Sequence, residues 1–98
     1  MEEKIFTRDQ MSRIHKSTVN GVLRIWIDVH GMKAKDAILF IKNVIACHHR
    51  EQCILEIVHG FNHGTAIKDT IRQQKLTNRS YLIETDDRNP GLTYLKVA

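Results

Sequence analysis

Two His-Gly pairs are the features of this sequence that could support chemistry. Each pair directly follows an apolar segment. The pairs are His30-Gly31 and His59-Gly60. An imidazole with an ordinary pKa of about 6.5 can accept or donate a proton, so two of them could share the acid and base roles of phosphodiester cleavage. Asp28 lies two residues before His30, where its carboxylate could orient the first ring. Asp28, His30 and His59 are therefore the candidate catalytic residues.

Glycines and basic residues beside these histidines indicate a site for an anion. Glycine lets the backbone approach a ligand closely, and the free N–H groups at the start of a helix attract phosphate. Cations at the start of a helix oppose its dipole, so Lys33 and Lys35 favour an anionic partner. Lys68, Arg72 and Lys75 recur on one helix face and either follow a phosphate backbone or are simply solvated. The candidate phosphate-binding residues are Gly31, Lys33, Gly60, Asn62, His63, Gly64, Thr65 and Lys68.

Two metal sites are alternative interpretations. Cysteine and histidine cluster between residues 47 and 53, but this segment lacks the Cys-x₂₋₄-Cys spacing that is usual in structural zinc sites. Cys47 and Cys53 are therefore interpreted as core thiols. A divalent ion held by Asp28, His30 and His59 is the second alternative, because carboxylate and imidazole both suit such ions. Otherwise we expect no metal and no cofactor.

Hydrophobic periodicity predicts the elements that must position these residues. Apolar residues alternate in strands and recur at helical spacing between them, which gives the order βαβαββ. The first two strands are expected to be parallel neighbours, and the last to run antiparallel after a turn over residues 86–91. Both His-Gly pairs then lie at the carboxyl ends of adjacent strands, where open α/β sheets bind ligands. The strands are predicted over 23–29, 53–59, 81–85 and 92–97, and the helices over 34–48 and 66–75, with Thr65 as N-cap.

The first 21 residues are predicted to be an N-terminal arm that precedes a domain over residues 22–98. Thr7 and Gln10 fit a capping box, and Phe6 and Met11 fit a hydrophobic staple, which together predict a short helix over residues 8–16. Residues 17–21 are interpreted as a linker into the domain.

Composition limits the class of protein. Ninety-eight residues with 42% hydrophobic side chains suit one domain, and a net charge of +4 with both signs along the chain excludes a disordered polyelectrolyte. No apolar run approaches the ~20 residues that cross a bilayer, so no membrane partner is expected. Two cysteines without an export signal favour the cytoplasm. The net positive charge favours anionic partners over cationic ones.

Three segments resemble the signatures of the Smr (small MutS-related) domain family. Residues 27–31, Ile-Asp-Val-His-Gly, resemble the first signature, Leu-Asp-x-His-Gly. Residues 57–60 with the following loop resemble the second, and residues 89–93 resemble the glycine-rich closing segment. The resemblance covers residues 23–98. One departure is that Asn62 replaces the middle glycine of the common His-Gly-x-Gly-x-Gly pattern, and His63 follows it.

This resemblance implies both a fold and a function. The implied fold is a two-layer α/β sandwich, with a four-stranded mixed sheet in the order 1-2-4-3 and two helices on one face. The implied function is nucleic-acid binding, with endonuclease activity that cleaves RNA or nicks DNA. We expect RNA to be the more favoured partner and Asp28, His30 and His59 to carry the cleavage. A non-catalytic module that binds nucleic acid or the ribosome is the alternative from another class. A small-phosphate enzyme that uses the glycine loop is a third.

Overall fold

A computed structural model describes residues 6–60 and 65–98 of the chain. These residues form a mixed α/β arrangement of five strands and three helices. In chain order the elements are α1 (Arg8–Ser12), β1 (Ile14–Val19), β2 (Val22–Asp28), α2 (Ala34–Cys47), β3 (Cys53–Val58), α3 (Thr65–Gln73), β4 (Tyr81–Asp86) and β5 (Asn89–Val97).

The strands form one mixed sheet in the order β1-β2-β3-β5-β4. β2 and β3 are parallel, whereas β5 runs antiparallel to both β3 and β4. The expected four-stranded sheet is wrong, because β1 adds a fifth strand beside β2. The four predicted strands nevertheless keep the expected neighbours, with the final strand between the second and the third.

A two-residue hairpin explains the additional strand. Asn20 and Gly21 have positive φ values of 53° and 78°, and Val19 pairs with Val22 across the turn. Two consecutive positive φ angles are the backbone of the turn that best matches the twist of a hairpin. The linker interpretation of residues 17–21 is therefore wrong, and the predicted helix over 8–16 ends at Ser12. The predicted boundary between residues 21 and 22 falls inside this hairpin.

The two long helices cover one face of the sheet, as predicted. In β2 the alternation of apolar residues places Ile25 and Ile27 on the buried face, and Leu55 and Ile57 of β3 lie on the same face. The buried residues of α2 and α3 join these side chains in one hydrophobic cluster. None of the helices in the described part of the chain is long and apolar enough to cross a bilayer.

The short helix α1 is anchored to this core. Its capping box is confirmed, because Thr7 Oγ1 accepts a hydrogen bond from the N–H of Gln10 and the Gln10 side chain accepts one from the N–H of Thr7. Phe6 is buried and packs edge-on against Phe40 of α2, with 5.6 Å between ring centroids. The N-terminal segment is thus packed onto the domain.

Two predicted boundaries shift. The turn between β4 and β5 occupies only residues 87 and 88, so Pro90 lies inside β5 next to a register irregularity of the hairpin. Such irregularities are among the few strand positions that tolerate proline. Thr65, the predicted N-cap, is the first residue of α3.

Candidate functional site

Both His-Gly pairs lie at the same edge of the sheet. Asp28 ends β2 opposite Val58, which ends β3, and the two strands are parallel. The pairing continues by one further hydrogen bond, from the N–H of Val29 to the carbonyl oxygen of Val58 at 2.9 Å. His30 and His59 therefore follow neighbouring strand ends, as the sequence predicts.

Asp28 holds the first imidazole from two directions. Its Oδ1 accepts a hydrogen bond from the backbone N–H of His30 at 3.1 Å, and it also makes a short hydrogen bond with Nδ1 of the ring. An ionised carboxylate has no hydrogen to donate, so Nδ1 carries the proton of this bond. In the neutral ring Nε2 is then an unprotonated base. The His30 side chain is 65% exposed, so substrate can reach that nitrogen.

The second imidazole is arranged differently. His59 is only 2% exposed, and both of its ring nitrogens contact protein atoms. Nδ1 lies 2.8 Å from the carbonyl oxygen of Gly60, and Nε2 lies 2.8 Å from Oγ1 of Thr93. A carbonyl oxygen only accepts, so Nδ1 donates to Gly60 and Nε2 of the neutral ring accepts from the Thr93 hydroxyl. The second imidazole is therefore closed to solvent, whereas the first is exposed.

Backbone hydrogen bonds fix the second His-Gly pair to β5. The N–H groups of His59 and Gly60 both donate to the carbonyl oxygen of Gly91, at 2.9 and 3.1 Å. Gly60 has a φ of 76°, a conformation that side chains rarely adopt, and a Cβ built on it would lie 3.8 Å from Cβ of His30. Gly91 of β5 thus holds Gly60 beside the exposed histidine.

The predicted phosphate-binding residues are only partly gathered at this edge. Gly31, with a φ of 80°, follows His30 directly, and Lys33 lies three residues after His30; both residues are exposed. Lys68 is half-buried on α3, one turn beyond Thr65. Lys33 and Lys68 form no ion pair with any other residue that the structure describes. Asn62, His63 and Gly64 lie outside the described residues.

Arg13 is a site residue that the sequence interpretation misses. Its guanidinium donates hydrogen bonds to the carbonyl oxygens of Asp28 and His30. These partners are backbone atoms 15 and 17 residues away, so no side-chain pattern points to them. The one signal in the sequence is the Asn20-Gly21 turn. This turn pairs β1 with β2 and so brings Arg13, just before β1, close to Asp28 at the end of β2.

The face of the sheet opposite α2 and α3 carries paired charges. Arg24 of β2 forms an ion pair with Glu56 of the neighbouring strand β3 at 2.8 Å. Trp26 packs against His15 of β1 with ring centroids 5.1 Å apart, so a neighbouring segment contacts it. A cavity of about 440 Å³ opens at the other end of the sheet, near Cys53 and Val97. It lies at the opposite ends of β2 and β3 from His30 and does not belong to this site.

No group of three or more His, Cys, Asp or Glu side chains is arranged to hold a metal ion within residues 6–60 and 65–98. Cys47 and Cys53 are both free thiols. Cys53 is buried at the start of β3, and its burial raises the pKa of the thiol. Cys53 thus belongs to the core, as predicted, and Cys47 packs against the same core while half-buried.

Comparison with known proteins supports the fold. The sequence matches no protein-family model and no curated protein. The structure is similar to the crystal structure of the Smr domain of Thermus thermophilus MutS2, with a TM-score of 0.53. The two chains are 19% identical, and the match covers 74% of this chain and 96% of the MutS2 domain. This chain therefore has an Smr-like fold.

Proposed function

We propose that this chain is a nucleic-acid-binding Smr-like domain that cleaves RNA at the Asp28–His30 pair. The observation that carries the proposal is an exposed imidazole whose Nδ1 is held by a carboxylate, which leaves Nε2 free. The pair lies at the carboxyl ends of parallel strands, the usual ligand edge of an open α/β sheet. The likeness to the MutS2 Smr domain supports the same proposal. We propose a cytoplasmic location, which suits the two free thiols.

In the proposed reaction His30 acts as the general base. Its Nε2 accepts the proton of a ribose 2′-hydroxyl, whose oxygen attacks the adjacent phosphorus while the bond from phosphorus to the 5′-oxygen breaks. Water protonates the leaving oxygen, and His30 later releases its proton to solvent. Asp28 stabilises the imidazolium that forms, as an oriented carboxylate does beside other catalytic histidines. RNA suits a site with one exposed base because the nucleophile is part of the substrate.

In this proposal His59, which the sequence predicts to be catalytic, has a supporting role at Gly60 instead, because both of its ring nitrogens bond to protein atoms. The phosphate lies between the two His-Gly segments, near exposed Gly31 and Lys33. Gly60, Thr65 and Lys68 complete the proposed anion site. Positive charge on Lys33 and Lys35 at the start of α2 attracts the RNA backbone.

A cleavage assay with purified variants tests this proposal. Labelled single-stranded RNA and DNA are incubated with the wild type, with His30→Ala and with the control His49→Ala, each with and without chelator. His49 is another exposed histidine, outside the proposed site. We expect His30→Ala to lower the rate by about 10²–10⁴-fold, the usual contribution of a general base. Cleavage by His30→Ala at the wild-type rate would contradict the proposed role of His30.

The second candidate function is a non-catalytic module that binds nucleic acid or a ribosomal surface. The burial of His59 favours it, because only one of the two predicted acid–base rings is accessible. A module binds RNA without turnover, and each phosphate contact to a single strand gives log K a slope of about −0.7 against log salt. Fluorescence anisotropy at several salt concentrations, together with the cleavage assay, separates the two functions.

A further inference from the structure

The guanidinium of Arg13 lies against the backbone that carries Asp28 and His30. Nη1 donates to the carbonyl oxygen of Asp28 at 3.2 Å and to that of His30 at 3.3 Å. Nε donates to Oδ2 of Asp9 at 3.1 Å, which fixes the side chain from the α1 side. The main chain also takes part, since the N–H of Asp28 donates to the carbonyl oxygen of Arg13 at 2.9 Å. Arg13 therefore holds segment 28–30 through both its side chain and its backbone.

This segment lies between two supports. On one side the N–H of Val29 donates to the carbonyl oxygen of Val58 on β3, and on the other side Arg13 binds the carbonyl oxygens of residues 28 and 30. Between them the Asp28 carboxylate meets both the backbone N–H and the ring of His30. Hydrogen bonds of this kind lose most of their strength once the heavy atoms are much more than about 3.2 Å apart. A small backbone shift therefore separates the carboxylate from the ring.

We propose that Arg13 is a positioning residue for the Asp28–His30 pair. By fixing the backbone of residues 28–30, it keeps Asp28 on Nδ1 of His30 and leaves Nε2 as the free base. The segment that contains α1 and β1 is then part of the site and not a peripheral arm. The expected effect on cleavage depends on the function proposed above, whereas the effect on the ring of His30 does not.

The test compares Arg13→Ala and Arg13→Lys with the control Arg8→Ala. Arg8 carries the same charge on α1, is exposed, and makes no hydrogen bond to segment 28–30. Lysine keeps the charge of Arg13, but a single ammonium group lacks the planar fork that binds two carbonyls and a carboxylate together. Arg13→Lys therefore keeps the test decisive where Arg13→Ala does not fold.

The first readout is the tautomer of His30, taken from the ¹⁵N shifts of its ring nitrogens in the absence of RNA. Spectra are recorded at about pH 9, well above the ordinary histidine pKa of about 6.5. We expect the wild type and Arg8→Ala to carry the proton on Nδ1. In Arg13→Ala the shifts should move toward the Nε2-protonated form that free imidazole prefers, with a smaller movement in Arg13→Lys. An unchanged tautomer in the folded Arg13 variants would overturn the proposal.

The second readout is the cleavage of labelled RNA. We expect Arg13→Ala to lower kcat by about tenfold or more and to leave KM unchanged, since misplacing a catalytic group costs up to about 10²-fold. Arg8→Ala should match the wild type in both constants. A rise in KM alone would overturn the positioning role, because it indicates lost substrate binding. If the wild type does not cleave RNA, the catalytic proposal fails and the tautomer alone decides the role of Arg13.

Discussion

Replacing Thr93 with valine removes one buried hydroxyl and keeps the shape of the side chain. Thr93 is 1% exposed, and its Oγ1 lies 2.8 Å from Nε2 of His59, which is also buried. The substitution removes this hydrogen bond and leaves the ring nitrogen without a partner in the interior. An unpaired buried polar group costs about 1–3 kcal/mol, so we expect Thr93→Val to lower the free energy of unfolding by about 2 kcal/mol.

Urea denaturation followed by circular dichroism measures this loss. In a domain of this size a loss of about 2 kcal/mol corresponds to a Tm lower by about 8–16 °C. The matched control is Thr85→Val, which makes the same change at the exposed residue opposite Thr93 on β4. A surface change of this kind usually stays within about 0.5 kcal/mol. Equal stability of the two variants would refute the assignment of His59 as a buried, hydrogen-bonded support of Gly60.

Three further predictions concern the N-terminal segment and the core. Asn20→Ala should destabilise the fold by about 1 kcal/mol, because a φ of 53° is costly for alanine, whereas Asn20→Gly should not; equal urea midpoints for the two would contradict this. Phe6→Ala should cost about 3 kcal/mol in a thermal melt, since the ring is buried against Phe40, and an unchanged Tm would show that the segment is not anchored there. Burial raises the pKa of Cys53 above 9.0, so the folded state keeps a proton that the unfolded state loses. The free energy of unfolding should therefore fall as the pH rises above about 9, the ordinary pKa of the thiol. Cys53→Ala should make this fall smaller, as measured by urea titrations at neutral and alkaline pH.

The first half of the site could be predicted because it depends on local periodicity. Alternate residues of a strand share a face, so Asp28 and His30 were expected on one side of the end of β2, and the structure places them in hydrogen-bond contact. The helices followed from the spacing of apolar residues such as Ile41 and Ile45, which lie in the core. Local patterns were sufficient wherever one face of an element is buried.

The missed features depend on contacts between distant residues. β1 has almost no buried side chain, so it shows no alternation, and only its Asn20-Gly21 turn predicts a hairpin. The burial of His59 depends on Thr93, which lies 34 residues later in the chain. A histidine at a strand end gives no sign of whether a later strand will cover it. The sequence therefore located the edge of the sheet but not which imidazole faces solvent.

The most direct test of the proposed site is an NMR titration of the ¹⁵N-labelled chain with a short single-stranded RNA. The proposed function predicts that the ring signals of His30 and the amide signals of Gly31 and Gly60 shift together and saturate with one affinity. The ring signals of His49, an exposed histidine outside the proposed site, should stay in place. Shifts confined to residues away from His30, Gly31 and Gly60, with the ring of His30 unchanged, would contradict the proposed site.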